Sequence, residues 1–384
     1  MIISRLKLKN WRNFKSVDVN LRERVYIIGP NASGKSNLLD VMRFLRDIAK
    51  PDGGGLQKAV KDRGGMTKLR ALMGRRDPEV LIEVELSENT EDVPAWRYTL
   101  GFRSEGKGQQ RVIVSKEIVI DLKKNKTILD RPNAADKVDA DQKTQTYLQQ
   151  TTGNKNFRVI ADFFGTVTYL HLVPQLLKYA DQLGGYHMED DPFGQSFLER
   201  IAKTPERVRD SRLGKINDAL RICVPNMNNL KFDKDELGHP HLQAMYKHWR
   251  PDAGWQREDQ FSDGTLRLIG IMWSLLDGDS LLLLEEPELS LNEEIVRHIH
   301  RLVWKIQRSA KHKRQTFITT HSSALLEDKS IDARDVLVLT TTSDGTQINE
   351  IQPTDTSLLK AGYSIAEVLL NKVKPVNINQ MELL

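Results

Sequence analysis

The run GPNASGKS, residues 29–36, constrains this chain more than any other stretch. It fits the pattern G-x-x-x-x-G-K-[ST], and its context is the required one. A short apolar strand (24–28) precedes it, and an amphipathic helix over 36–49 follows, with Leu38, Leu39, Val41, Met42, Phe44 and Leu45 as its apolar positions. The glycines let backbone N–H groups approach phosphate oxygens, and the helix N-terminus adds a favourable dipole. Lys35 is placed to reach the β- and γ-phosphates, and the Ser36 hydroxyl to ligate Mg²⁺. The predicted nucleotide contacts are therefore Gly29, Pro30, Asn31, Ala32, Ser33, Gly34, Lys35, Ser36 and the adjoining Asn37, with ATP and Mg²⁺ as the ligands.

A second stretch, LLLLEEPELSLN (281–292), poses a physical problem. Four leucines belong in a core, yet they run into two adjacent glutamates, and an unpaired buried carboxylate is costly. An apolar strand that ends in acid beside a phosphate loop resolves this, because a metal and an attacking water both need carboxylates there. Glu285 is read as the metal-side acid and Glu286 as the acid that polarises water. FSDGTLR (261–267) places Ser262 and Gly264 at a helix N-terminus, a second anion cradle that would otherwise be a plain cap. FITTHSS (317–323) ends a strand in His321, a candidate sensor of the γ-phosphate at the C-terminal end of a parallel strand.

The rest of the chain supports an α/β fold. Residues 2–9 and 15–21 alternate as a strand pair around WRNF, and strands dominate from 80 to about 130 with polar turns, predicting an antiparallel sheet. Residues 131–157 read as a mobile polar loop and 164–173 as a strand. A helical pattern covers 176 to about 225, without a sustained heptad. The last third alternates helices (264–277, 293–309) with apolar strands (281–284, 316–320, 335–340), which predicts a parallel sheet with crossover helices. Expected divisions are a phosphate-loop lobe (1–175), a helical insert (176–260) and a C-terminal lobe (261–384). The chain has 384 residues and one cysteine, Cys223, which excludes an internal disulfide and a cysteine zinc site. A reducing, cytoplasmic setting is expected, and no apolar run is long enough to span a membrane. A net charge of +5 permits nucleic-acid contact without demanding it.

The order LKLKNWRNF, GPNASGKSNLLD, FSDGTLRL, LLLLEEPELSL, TTHSSALL resembles the ABC-type ATPases of the RecF/SMC group. It is most similar to the compact AAA_21/OLD-like ATPases of bacterial defence systems. The resemblance implies a P-loop NTPase head with an antiparallel β lobe, a mixed core sheet and a helical insert. It also implies two ATP molecules sandwiched between two heads, so that Ser262 and Gly264 cap the γ-phosphate of a partner copy. Arg12 and Asn13 match family positions near the nucleotide. Gln175 is the candidate for the glutamine that couples the metal to the helical lobe, with Gln57 as the alternative. Lys35, Glu286 and His321 are the implied catalytic set, and Ser36, Glu285 and Gln175 the metal set. The chain departs from the pattern at Glu285, where most relatives have Asp, and in the PELSLN that follows Glu286. The segment after His321 reads as too short for a TOPRIM nuclease domain.

The resemblance points to an ATPase that controls a separate effector, a nuclease or TOPRIM-like subunit in phage defence. Competing readings are a RecF-type loader on DNA and an ATP-dependent scaffold with little turnover. Asp233, Asp235, His239 and His241 could ligate a metal but read better as a β-hairpin with a polar turn. Basic segments at 58–76, 123–126 and 311–314 are the candidate DNA contacts.

Overall fold

A computed structural model describes residues 1–74, 77–90, 92–106, 111–179, 191, 193–247, 249–250, 254–278, 280–309, 314–349 and 351–370. Strands β1 (Ile2–Trp11) and β2 (Phe14–Asn20) form a hairpin, and β3 (Arg24–Ile28) then enters a different sheet. Helix α1 (Lys35–Ala49) leaves β3 through the glycine-rich loop, and α2 (Leu56–Asp62) and α3 (Met66–Leu69) follow. β4 (Val80–Ser87), β5 (Trp96–Ser104), β6 (Val112–Asp121) and β7 (Lys126–Arg131) complete an antiparallel sheet in the order β2-β1-β4-β5-β6-β7.

After α4 (Ala134–Val138) and α5 (Arg158–Gly165) the chain adds β8 (Thr168–Leu170) to the core sheet. Helices α6 (Pro174–Lys178), α7 (Phe197–Lys203) and α8 (Glu206–Cys223) lead to a three-stranded sheet of β9 (Met227–Lys234), β10 (Pro240–Tyr246) and β11 (Trp255–Arg257). Helix α9 (Asp263–Leu276), β12 (Leu282–Glu285), α10 (Glu293–Ser309), β13 (Thr316–Thr319) and α11 (Ser323–Leu326) then alternate. β14 (Val336–Thr342) and β15 (Gly345–Asn349) close the core sheet, followed by α12 (Pro353–Lys360) and α13 (Ile365–Leu369).

The core sheet runs β15-β14-β3-β13-β12-β8, and every neighbouring pair is parallel except β14–β15. It is covered on both faces, as parallel sheets require. Val25, Ile27, Leu281, Leu283 and Phe317 pack into one cluster with α1, α5 and the antiparallel sheet. Tyr26, Ile28, Leu282, Leu284 and Ile318 pack into the other with α8, α9 and α10. Successive side chains of a strand point to opposite faces, so both clusters share the same few strands.

Three sequence expectations are corrected. Residues 158–165 are helical and only 168–170 form a strand, because Ile160, Ala161 and Phe164 share a helix face against α1. An apolar run this short carries no period that separates strand from helix. The insert expected to be helical also holds β9, β10 and β11; a hairpin was expected over β9 and β10, and β11 adds a third strand to it. Residues 131–157 are not a mobile loop: they are pinned by buried charge. The fully buried Arg131 donates to Glu117 at 2.9 Å, to Asp136, and to the carbonyls of Gln142 and Gln145 at 2.9 Å each. Glu117 also accepts from the Tyr147 and Leu148 N–H groups at 2.8 and 3.1 Å. Burial raises the Glu117 carboxyl, while those N–H groups and Arg131 oppose it. No described helix is long and apolar enough to cross a membrane.

Removing one partner of a buried, fully bonded charge strands the others. Arg131→Met is expected to lower unfolding stability by about 3–5 kcal/mol, measured by urea titration.

Candidate functional site

The glycine-rich loop is held open by groups far away in sequence. Gly34 has φ +97°, and a Cβ there would stand 2.0 Å from Nδ2 of Asn13, so the residue must be glycine on both counts. Asn13 Nδ2 donates to the Ser33 carbonyl at 2.9 Å and to the Thr346 hydroxyl at 2.6 Å, while Thr346 itself donates to Ser33 at 2.7 Å. A Cβ on Gly29 would meet Ser33 Oγ at 2.6 Å and the Leu339 carbonyl at 2.8 Å. These contacts fix the backbone from behind. On the open side, the first turn of α1 has no side-chain cap, and Ser33 Oγ is buried without a partner. Uncapped N–H groups of a first turn suit an anion.

Lys35 lies across this cradle, its ammonium donating to the carbonyls of Gly29 and Pro30 at 3.1 Å each. Burial lowers its pKa, and the carboxylates of Glu286, Glu285 and Glu288 oppose that shift.

Strand alternation then explains the two glutamates. Glu285 continues the face of Leu281 and Leu283, the face that α1 covers, and its Oε1 accepts a short hydrogen bond from Ser36 Oγ at the start of α1. Its Oε2 accepts another from the Tyr169 hydroxyl of β8. A hydroxyl and a carboxylate in contact give an all-oxygen set that fits Mg²⁺. Among the described residues no group of three or more His, Cys, Asp or Glu side chains is placed to hold a metal alone.

Glu286 leaves the strand in the left-handed region, φ +43°, with its N–H bonded to the Thr319 carbonyl at 3.1 Å. Its carboxylate lies 3.4 Å from Nε2 of His321, at the end of the adjacent strand β13. Burial lowers the His321 pKa, Lys35 lowers it further, and Glu286 opposes both. A neutral imidazole next to a carboxylate thus stands at the same sheet edge as the phosphate cradle.

The other predicted residues fall as follows. Ser262 caps α9, its Oγ accepting from Thr265 N at 3.1 Å, and a Cβ on Gly264 would meet the Ser290 carbonyl at 2.6 Å. Gln175 donates to Asp263 at 2.6 Å, so it engages the FSDGT signature turn at the start of α9 rather than the Ser36–Glu285 pair. Gln57 spends its amide on the carbonyls of Val112 and Thr144, both at 2.7 Å. Arg12 pairs with Asp40 of α1 at 2.6 Å, and Arg63 pairs with the same carboxylate at 2.9 Å. Burial alone would raise Asp40, but Arg63 and then Arg12 bring it below the usual carboxylate range. Asn31, Ala32 and Asn37 line the loop and the first turn, with Asn37 donating to Asn13 at 2.8 Å. His239 and His241 sit in the β9–β10 hairpin beside Asp235, and His241 bonds Glu258 at 2.7 Å. Tyr169, Thr346 and Glu288 escaped the sequence reading, because each reaches the site through tertiary register and lies in no recognisable spacing.

Comparison with known proteins gives the family. A family profile described as "AAA domain, putative AbiEii toxin, Type IV TA system" matches residues 25–327, and one described as the P-loop containing region of an AAA domain matches 3–45. The chain belongs to the AAA_21 family. Two curated relatives are each a "DNA replication and repair protein RecF". That of Bacillus cytotoxicus is 27% identical over 89 residues, 23% of this chain and 24% of the relative. That of Roseiflexus castenholzii is 34% identical over 62 residues, 16% of each chain. The fold is shared more widely than the sequence. An SMC head bound to the C-winged helix domain of ScpA matches at TM-score 0.59 and 12% identity, over 93% of this chain and 100% of the other. An Smc head with an extended coiled coil, bound to the C-terminal domain of ScpA from Pyrococcus furiosus, gives 0.52 and 12%, over 94% and 98%. This AAA_21 member is thus a P-loop ATPase-family domain that shares the fold of SMC heads and, over short segments, sequence with RecF.

Asn13→Ala removes the amide that holds Ser33. ATP affinity is expected to fall about ten-fold, the equivalent of losing one buried hydrogen bond of ~1–2 kcal/mol, as read by equilibrium dialysis. Tyr169→Phe frees one oxygen of Glu285 and is expected to raise the Mg²⁺ concentration needed for half-maximal turnover, with ATP affinity in EDTA unchanged.

Proposed function

We propose that this chain binds Mg²⁺–ATP in the 29–36 loop and hydrolyses it, with two copies meeting head to head across the nucleotide. The observation that carries this is the convergence of Lys35, Ser36, Glu285, Glu286 and His321 at the C-terminal edge of β3, β13 and β12. Of these, Ser36 and Glu285 meet across 249 positions of sequence.

The residues divide the work. The loop N–H groups and Lys35 bind the phosphates, and Ser36 with Glu285 would hold the metal, which when bound neutralises charge developing on the phosphoryl oxygens. Glu286, turned out of its strand, faces the place where water stands in line and takes its proton. His321, kept neutral by burial and by Lys35, offers a hydrogen bond to the γ-phosphoryl group without competing with Lys35 for charge. Ser262 and Gly264 at the start of α9 would meet the γ-phosphate of the partner copy, where the helix N-terminus favours an anion.

We extend the reading to control of a separate effector in defence against phage; the family description, which names a toxin–antitoxin system, supports a role in a two-component system. The RecF-type alternative needs a free basic face. Of the basic segments, Lys123 pairs with Glu88 at 2.6 Å, Lys58 with Asp62 at 3.1 Å, and Arg63 with Asp40 and Asp47. Residues 75, 76 and 311–313 of the other basic segments lie outside the described residues.

Lys35→Ala is expected to abolish ATP binding. Glu286→Gln is expected to keep ATP, lose about 10²–10⁴-fold in turnover, and accumulate an ATP-bound dimer by light scattering. A Glu286→Gln protein that stays monomeric with ATP would remove the sandwich. Equal inactivity of wild type and variant, with ATP still driving assembly, would select the scaffold.

A further inference from the structure

The third acid of the EEPE run, Glu288, points back into the protein. One of its oxygens accepts from the Thr320 hydroxyl at 2.6 Å and from the His321 backbone N–H at 3.1 Å. Thr320 Oγ1 in turn accepts from Ser322 N at 2.9 Å, so one carboxylate orders three successive residues where β13 ends. Its other oxygen, Oε2, is buried without a hydrogen-bond partner. Arg267 of α9, 6% exposed, supplies the nearby positive charge. Burial lowers the Arg267 pKa, and Asp263, Glu288 and Glu286 oppose that shift.

His321 needs such support. Among the described residues its ring is met by the Glu286 carboxylate at 3.4 Å, too long a contact to fix an imidazole. The ring's place is therefore set by its backbone, and the backbone is held by Glu288. The same loop is packed against the signature helix, since the Ser290 carbonyl stands 2.6 Å from where a Cβ of Gly264 would be.

We infer that Glu288 is a positioning residue that clamps the 320–322 turn to the end of the acidic strand and thereby holds the His321 imidazole against Glu286. This rests on the hydrolytic reading above, with His321 acting on the phosphoryl group. A glutamine keeps the accepting oxygen and loses the charge, whereas an alanine loses both.

The test compares Glu288→Ala and Glu288→Gln in the full chain, with circular dichroism and thermal melting to confirm folding. In Mg²⁺–ATP assays, E288A is expected to lower kcat about 10²-fold with KM within about three-fold, as misplacing a catalytic group by an ångström does. E288Q is expected to recover most of that loss. Unchanged kcat in E288A overturns the inference, and so does an E288Q as impaired as E288A, which would assign the charge a direct part in the reaction. Absence of turnover in the wild type would defeat the hydrolytic reading alone. The clamp is then read from the ¹³C-labelled His321 ring, located with a His321→Ala control. Its titration should move up toward that of a free histidine in E288A and stay in place in E288Q, and an unmoved ring in E288A overturns the clamp.

Discussion

Everything at this site depends on the contact between the Ser36 hydroxyl and the Glu285 carboxylate. It joins the first residue after Lys35 to the last residue of β12, and it can form only if β3 and β12 lie on the same sheet with one strand between them. That intervening strand is β13, which delivers His321 to the same edge. The apolar alternation of the core strands is what aims Glu285 toward α1, so hydrophobic burial on two faces and metal chemistry at one edge come from the same period-two pattern.

Much of this was legible. The phosphate loop, the acid-terminated strand, the histidine strand and their helices lie where spacing and hydropathy put them, because each is a local pattern. What was not legible came from register and from charge. Tyr169 meets Glu285 only because β8 pairs with β12, opposing Leu283 to Tyr169. Nothing local marks that pairing. Residues 131–157 look like a solvated loop by composition, yet Arg131, Glu117 and Asp136 turn their polarity inward and satisfy it. Gln175 followed a strand, as a metal-coupling glutamine should, but the short helix α6 carries it to Asp263.

The signature turn is consequently held from two sides. Asp263 receives Gln175 at 2.6 Å and Lys178 at 2.8 Å from α6, while Gly264 abuts the loop beyond the acidic strand. The side chains of α6 and the loop that follows Glu286 therefore meet the same two residues, Asp263 and Gly264, at the start of α9. Burial lowers the pKa of Arg267 in the same helix, and the charges of Asp263, Glu288 and Glu286 oppose that shift.

The clamp behind the phosphate loop has one more consequence. Asn13 reaches Ser33 almost at once along the chain, but its other partner, Thr346, lies 333 positions later. A polypeptide made from its N-terminus therefore exposes the glycine-rich loop long before the edge strand that steadies it exists. The order of synthesis and the order of assembly run opposite ways at this loop.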